Sequence, residues 1–163
     1  MAWTTPKTWS AETLTSTDMN THIRDNLNYL KDTIAPNAEQ YARTSGNYTT
    51  TSTTFTDVDG TNMSFSLTTT GGDVMVTCAG YGSSGAGDAV TVGVFVTGLG
   101  TTTIVEAEST NNSDPVNVSF VYIFKDLAAG TYTFTLRYKG DGSTTTLYAG
   151  NLLFDAREIL GNA

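Results

Sequence analysis

Val116-Asn117-Val118-Ser119-Phe120-Val121-Tyr122-Ile123-Phe124 carries the pattern that sets the fold class of this chain. Val116, Val118, Phe120, Tyr122 and Phe124 fall on one side of an extended chain, and the other side ends in Val121 and Ile123. The period of two and the supply of β-branched and aromatic residues mark a strand. Apolar side chains on both faces set a further condition. A β-sandwich buries one face of each sheet, so the second face of this strand needs another cover.

Similar segments recur along the chain between turn signals. Strands are expected at residues 48–58, 63–69, 73–81, 89–96, 102–108, 116–124, 130–138 and 144–154. They are separated by Asp59-Gly60, Gly71-Gly72, the loop 82–88, Gly98-Leu99-Gly100, residues 111–115, Ala129-Gly130 and Gly140-Asp141-Gly142. With no helix between them, these strands predict an antiparallel sandwich or barrel over residues 48–163. The last strand repeats the doubly apolar pattern: Leu147, Ala149 and Leu153 alternate with Tyr148, Leu152 and Phe154. Subunit contact is the economical cover for such faces, and three-fold assembly would bury Phe120, Tyr122, Phe124, Tyr148, Leu152 and Phe154 in the core or against a symmetry axis. An irregular monomeric core is the alternative.

The composition changes near Pro36. Before it, Thr15 and Asp18 have capping-box spacing, and Met19, Ile23, Leu27, Leu30 and Ile34 follow at intervals of four, four, three and four. One amphipathic helix is expected over residues 16–34. Its narrow apolar stripe resembles a coiled-coil seam, flanked by Arg24, Asp25, Asn28, Lys31 and Asp32. About two heptads are too short to associate alone, so this trimer seam needs an attached trimer or a docking surface. Ahead of the helix, Trp3 and Trp9 bracket a short polar arm containing Pro6. Two large aromatics there serve either as anchors on a foreign surface or as a staple over the first helical turn. The chain thus divides into an attachment arm and helix (1–36), a connector (37–47) and a β domain (48–163).

A formal charge of −8, with 16 acidic residues against eight basic ones and no basic cluster, argues against nucleic acid as a partner. No segment approaches the ~20 apolar residues of a membrane span, and the amino terminus has no apolar signal core. Cys78 has no second cysteine to pair with and reads as a small buried thiol; His22 reads as a polar flank of the helix. Asp57, Asp59 and Asp73 adjoin glycine turns without the ordered oxygen series of a calcium loop. Glu106 and Glu108 share a strand face and read as a solvated edge. The glycines between Gly80 and Gly87 lack the strand-loop-helix setting and the lysine of a phosphate cradle. No catalytic, cofactor or metal site is therefore expected, and recognition falls to the loops 82–88, 101–103, 111–114 and 141–146.

The segment Trp3-Thr4-Thr5-Pro6-Lys7-Thr8-Trp9-Ser10-Ala11-Glu12, with Leu14-Thr15 and Met19-Asn20-Thr21-His22-Ile23-Arg24-Asp25-Asn26-Leu27, resembles an N-terminal module of tailed-bacteriophage tail-fibre and minor virion proteins. The family pattern has a glycine between the alanine and the glutamate, where this chain runs Ala11-Glu12 directly. The resemblance implies virion attachment through Trp3, Pro6 and Trp9. More weakly, Thr69-Thr70-Gly71-Gly72-Asp73-Val74 and Leu127-Ala128-Ala129-Gly130-Thr131-Tyr132-Thr133-Phe134 resemble the jelly-roll domains of phage fibre tips and of the trimeric C1q and tumour necrosis factor families. That likeness bears on architecture alone. The combined expectation is a homotrimeric virion structural protein, tail fibre or capsid decoration, made in the host cytoplasm without a signal peptide. It attaches to another virion protein through residues 1–36 and displays a jelly-roll-like β-sandwich for host attachment to a cell-surface glycan or protein. The competing classes are a secreted C1q-like adhesin or lectin, which the missing signal disfavours, and a glycan-degrading enzyme, which lacks an acid-base pair.

Overall fold

A computed structural model describes residues 5, 8, 13, 15–28, 38–43, 45–85, 89–100, 102–108 and 114–159. The chain forms two compact units, Met1–Pro36 and Asn37–Ala163.

In the first unit, helix α1 (Ser16–Asp18) starts at a complete capping box. The Thr15 hydroxyl accepts the Asp18 N–H at 3.1 Å, and the Asp18 carboxylate accepts the Thr15 N–H at 3.3 Å. The chain then widens into a π-helical stretch, Met19–Arg24, before residues 25–28 return to α geometry. The repeating seam did not announce this stretch, yet it has a consequence for it. Residues four apart in an α-helix drift by about 40° around the axis. A π turn rotates less per residue, so it holds Met19, Ile23 and Leu27 nearer one line. All three are exposed. Leu30 and Ile34 of the expected seam, and Trp3, Pro6 and Trp9 of the arm, lie outside the described residues.

The second unit is mainly β, with two antiparallel sheets packed face to face. The first contains β1 (Ala38–Arg43), β2 (Tyr48–Thr50), β5 (Gly72–Ser83), β8 (Val116–Asn117), β9 (Phe120–Leu127) and β11 (Thr145–Ile159). β11 and β5 lie at its centre; β1 and β2 flank β11, and β8 and β9 flank β5. The second sheet contains β3 (Thr56–Asp57), β4 (Ser64–Thr69), β6 (Ala89–Val96), β7 (Thr102–Glu108) and β10 (Gly130–Lys139). There β3 and β4 pair with one side of β10, and β6 then β7 lie on the other. Successive strands mostly change sheet, the winding of a jelly roll.

Between the sheets, Val74, Val76, Cys78 and Phe154 from one side meet Val92, Val94, Phe134 and Leu136 from the other, all with no exposed surface. Phe65 stands at the junction, with ring centroids 5.0 Å from Phe154 and 6.1 Å from Phe134. The Thr-rich strands are also stitched outside the core: hydroxyl pairs Ser64–Thr135, Ser66–Thr133 and Thr68–Thr131 join β4 to β10 at 2.8–2.9 Å.

Several expectations are corrected. The connector 37–47 is not merely a link, because β1 within it pairs with β11 from Ala38↔Arg157 to Arg43↔Leu152. The single strand expected at 48–58 is two: β2 joins the first sheet and β3 the second, with Thr51–Phe55 crossing between them. The deciding stretch 116–124 also breaks in two, where Asn117 Oδ1 accepts the Ser119 N–H at 2.7 Å and bends the strand. In β11 the register slips between Tyr148 and Leu153, so the simple alternation fails. Leu147 and Ala149 before the slip, and Leu152 and Phe154 after it, all point inward.

Candidate assembly surface

Register fixes which residues share the outer face of the six-stranded sheet. Opposite the core pairs Phe120↔Cys78 and Tyr122↔Val76, the pairs Val121↔Thr77 and Ile123↔Met75 point outward. On the other side of β5, Asp155 lies level with Thr77, Arg157 with Met75, Leu153 with Ala79 and Tyr148 with Tyr81. Three strands thus present Asp155–Thr77–Val121 and Arg157–Met75–Ile123 as adjacent rows. Much of this surface is apolar and open: Val121 is 63% exposed, Tyr81 45% and Ile123 40%. Tyr148 is partly buried beside Tyr81, its hydroxyl 2.9 Å from that of Ser83.

Of the residues expected in core or trimer strands, Phe120, Phe124, Leu152 and Phe154 lie in the core. Tyr122 sits on the core side of β9 but at its rim, 41% exposed, with its ring edge-on to Phe124 at 4.9 Å. It lines a groove with Leu99, Ile123, Lys125, Asp126 and Tyr132, continuous with the outer face at Ile123.

The acidic residues weighed for calcium each hold local structure. Asp57 pairs with Arg137 at 2.7 Å, and Asp73 accepts the N–H of Asp126 at 3.0 Å. Asp59 accepts from Asn62 through side chain and backbone, from the Thr61 N–H, and from Tyr48 Oη at 3.0 Å. Those bonds, led by the one from Asn62, hold its carboxyl well below the usual range. Burial in the apolar core pushes the Cys78 thiol up to about 12. Glu106 and Glu108 lie on β7 opposite Thr91 and Ala89. Among the described residues no helix is long and apolar enough to cross a membrane.

The loops sort into two ends. Ala38 enters opposite Arg157, and Ile159 leaves opposite Asp73, at the end that also carries the Gly71 turn. The loops 51–55, 84–85 and 140–144 lie at the other end. They are tied together: Gly140 donates to the Ser52 carbonyl at 2.9 Å, and buried Ser84 meets Thr145 at 3.0 Å and Ser143 at 3.3 Å. Of the loops expected to recognise a partner, those at 82–88 and 141–146 lie at this distal end, whereas Thr102 and Thr103 open β7 at the opposite end, paired with Phe95 and Val94; residues 86–88, 101 and 111–113 lie outside the described residues. Sequence alone carried no signal of which ends the loops occupy, because that depends on pairings far apart in the chain.

No family model and no curated protein matches the chain. Among solved structures, Eiger TNF from S. frugiperda superposes with a TM-score of 0.51 at 12% identity, over 78% of this chain and 95% of that one. A structure of infectious bursal disease virus, Gx strain, gives a TM-score of 0.46 at 8% identity, over 78% of this chain and 33% of that one. A pentameric capsid protein from metagenomic phage sequences gives 0.29 at 20% identity, over 76% and 63%. The two viral superpositions are too loose to carry an argument. The first, together with the strand order, shows the β unit to be a TNF-like jelly roll.

Proposed function

We propose that this protein is a structural component of a bacteriophage particle, a homotrimer that docks through residues 1–36 on another virion protein and displays its jelly roll. The observation that carries the assembly is the outer face of β11, β5 and β9, where Tyr81, Val121 and Ile123 stand exposed together. Burying an aliphatic side chain of this size contributes about 1.5–3 kcal/mol, so a few such residues per copy supply a useful contact. The exposed Met19, Ile23 and Leu27 extend the same need for a partner to the helix. Attachment to a virion rests on the likeness of the head to phage tail-fibre and minor virion modules. The distal loops 51–55, 84–85 and 140–144 are then the surface turned toward a host cell-surface glycan or protein.

Sedimentation equilibrium tests the assembly. The expected result is a trimer at micromolar concentration, reduced to monomer by Val121→Asp with Ile123→Asp; a stable wild-type monomer overturns it. Electron micrographs of particles carrying the labelled protein test the location and separate a tail fibre from a shell decoration. Particles devoid of label overturn the virion reading.

A further inference from the structure

We propose that Asp155 and Arg157 form the polar lock between copies of this chain, Arg157 of one copy donating to Asp155 of the next. The inference rests on the trimeric reading above and names the pair that sets its register.

Asp155 points from the outer face of β11, yet its side chain is only 10% exposed. Arg157, two residues along the same strand, reaches Oδ2 through Nη2 at 2.7 Å. The other carboxylate oxygen, Oδ1, is buried without a hydrogen-bond partner. A buried carboxylate oxygen left unmet is costly. A guanidinium offers five N–H groups in a planar fork that suits both oxygens of a carboxylate at once. Side by side on one strand, Arg157 delivers one nitrogen to one oxygen. Its side chain remains 47% exposed.

One face therefore holds an acceptor short of donors and a donor with more N–H groups than its single bond uses. A second copy brings both in equal number, whereas an unrelated partner would need a matching arrangement of its own. The setting favours the same occupant. Thr77 and Val121 share the row of Asp155, and Met75 and Ile123 share the row of Arg157, so a contact here would exclude water and strengthen the pair. Copies carrying a net charge of −8 repel one another, and Arg157 supplies a cation on the face where they meet. On assembly Arg157 turns outward from its own Asp155, freeing Oδ2 for the guanidinium of the neighbouring copy.

The test uses the full chain carrying Asp155→Asn or Arg157→Gln, each followed by sedimentation equilibrium, with circular dichroism to confirm the fold. Each variant alone is expected to need at least about tenfold more protein to assemble. Mixed in equal amounts, the two should recover in part, because each mixed trimer regains one of its three contacts, where Arg157 of one variant meets Asp155 of the other. Arg157→Lys keeps the charge without the fork at a half-exposed position, and should weaken assembly as well. Wild-type assembly of the arginine variants, or weakening with no recovery on mixing, overturns the lock while leaving the trimer standing. A monomeric wild type overturns the trimer and the lock together.

Discussion

Glu158, near the end of β11 in one sheet, accepts the backbone N–H of Thr70 at 2.8 Å, although Thr70 lies in the turn that leaves β4 of the other sheet. The hydroxyls of Thr70 and Thr69 donate to the same oxygen, so one buried carboxylate clamps the two layers where the chain passes between them. Glu158→Ala strands these donors and is expected to lower unfolding free energy by about 2–3 kcal/mol in urea titration. Glu158→Gln, which keeps an acceptor oxygen, should cost less. Equal stability of both variants and wild type would mean that the clamp contributes nothing.

Gly140 packs so closely at the distal loops that an added Cβ would overlap the Thr145 hydroxyl and stand 3.0 Å from the Thr145 Cβ. Thr145 is fully buried and branched at Cβ, so it cannot step aside cheaply. Gly140→Ala should therefore cost about 1–3 kcal/mol and loosen the Ser84–Thr145 bond. Thermal melts and hydrogen exchange at residues 84–85 and 140–144 read both effects.

Cys78, with its thiol pushed up to about 12 from a reference of 9.0, gives a direction for alkaline stability. Between those values the unfolded chain releases a proton that the native chain keeps, so stability falls as pH rises. Cys78→Val, close in volume, should flatten that slope. In the wild type a maleimide should label the thiol only on unfolding; rapid labelling of the native protein would contradict its burial.

Asp59 acts at the other end of the scale. Its folded carboxyl is held below the reference of 3.8, so its contribution is present above that pH and lost as pH falls through the folded value. Asp59→Asn is expected to be less stable than wild type at neutral pH by about 1 kcal/mol, with the gap closing in acid. A gap that stays constant from pH 7 down to pH 2 would show that the charge of Asp59 is not the cause.

The sequence made the sheet class legible because apolar alternation is local. The bounds 89–96 and 102–108 follow directly from turn residues on either side, and they are the bounds of β6 and β7. Features set by distant pairing were hidden. Residues 38–43 have no strand pattern of their own, and β1 exists because β11 offers an edge beside it. Nothing in Tyr48–Val58 marks where the chain leaves one sheet for the other. The slip in β11 separated Tyr148 and Leu152, which the alternation had put on one face, since a period of two holds only while the ladder is unbroken. On the outer face, Val121 and Ile123 could be named from alternation. Asp155 could not, because its burial beside an unmet oxygen appears only once β11 is placed next to β5.

Ala38 and Ile159 mark the same end of the sandwich, and the loop from Gly140 to Thr144 lies at the other. A foreign peptide spliced between Asp141 and Gly142, both exposed, would interrupt no strand and would travel at the end farthest from where the chain enters the fold. The points where the chain enters and leaves the fold thus lie across one core from the place that would hold the insert.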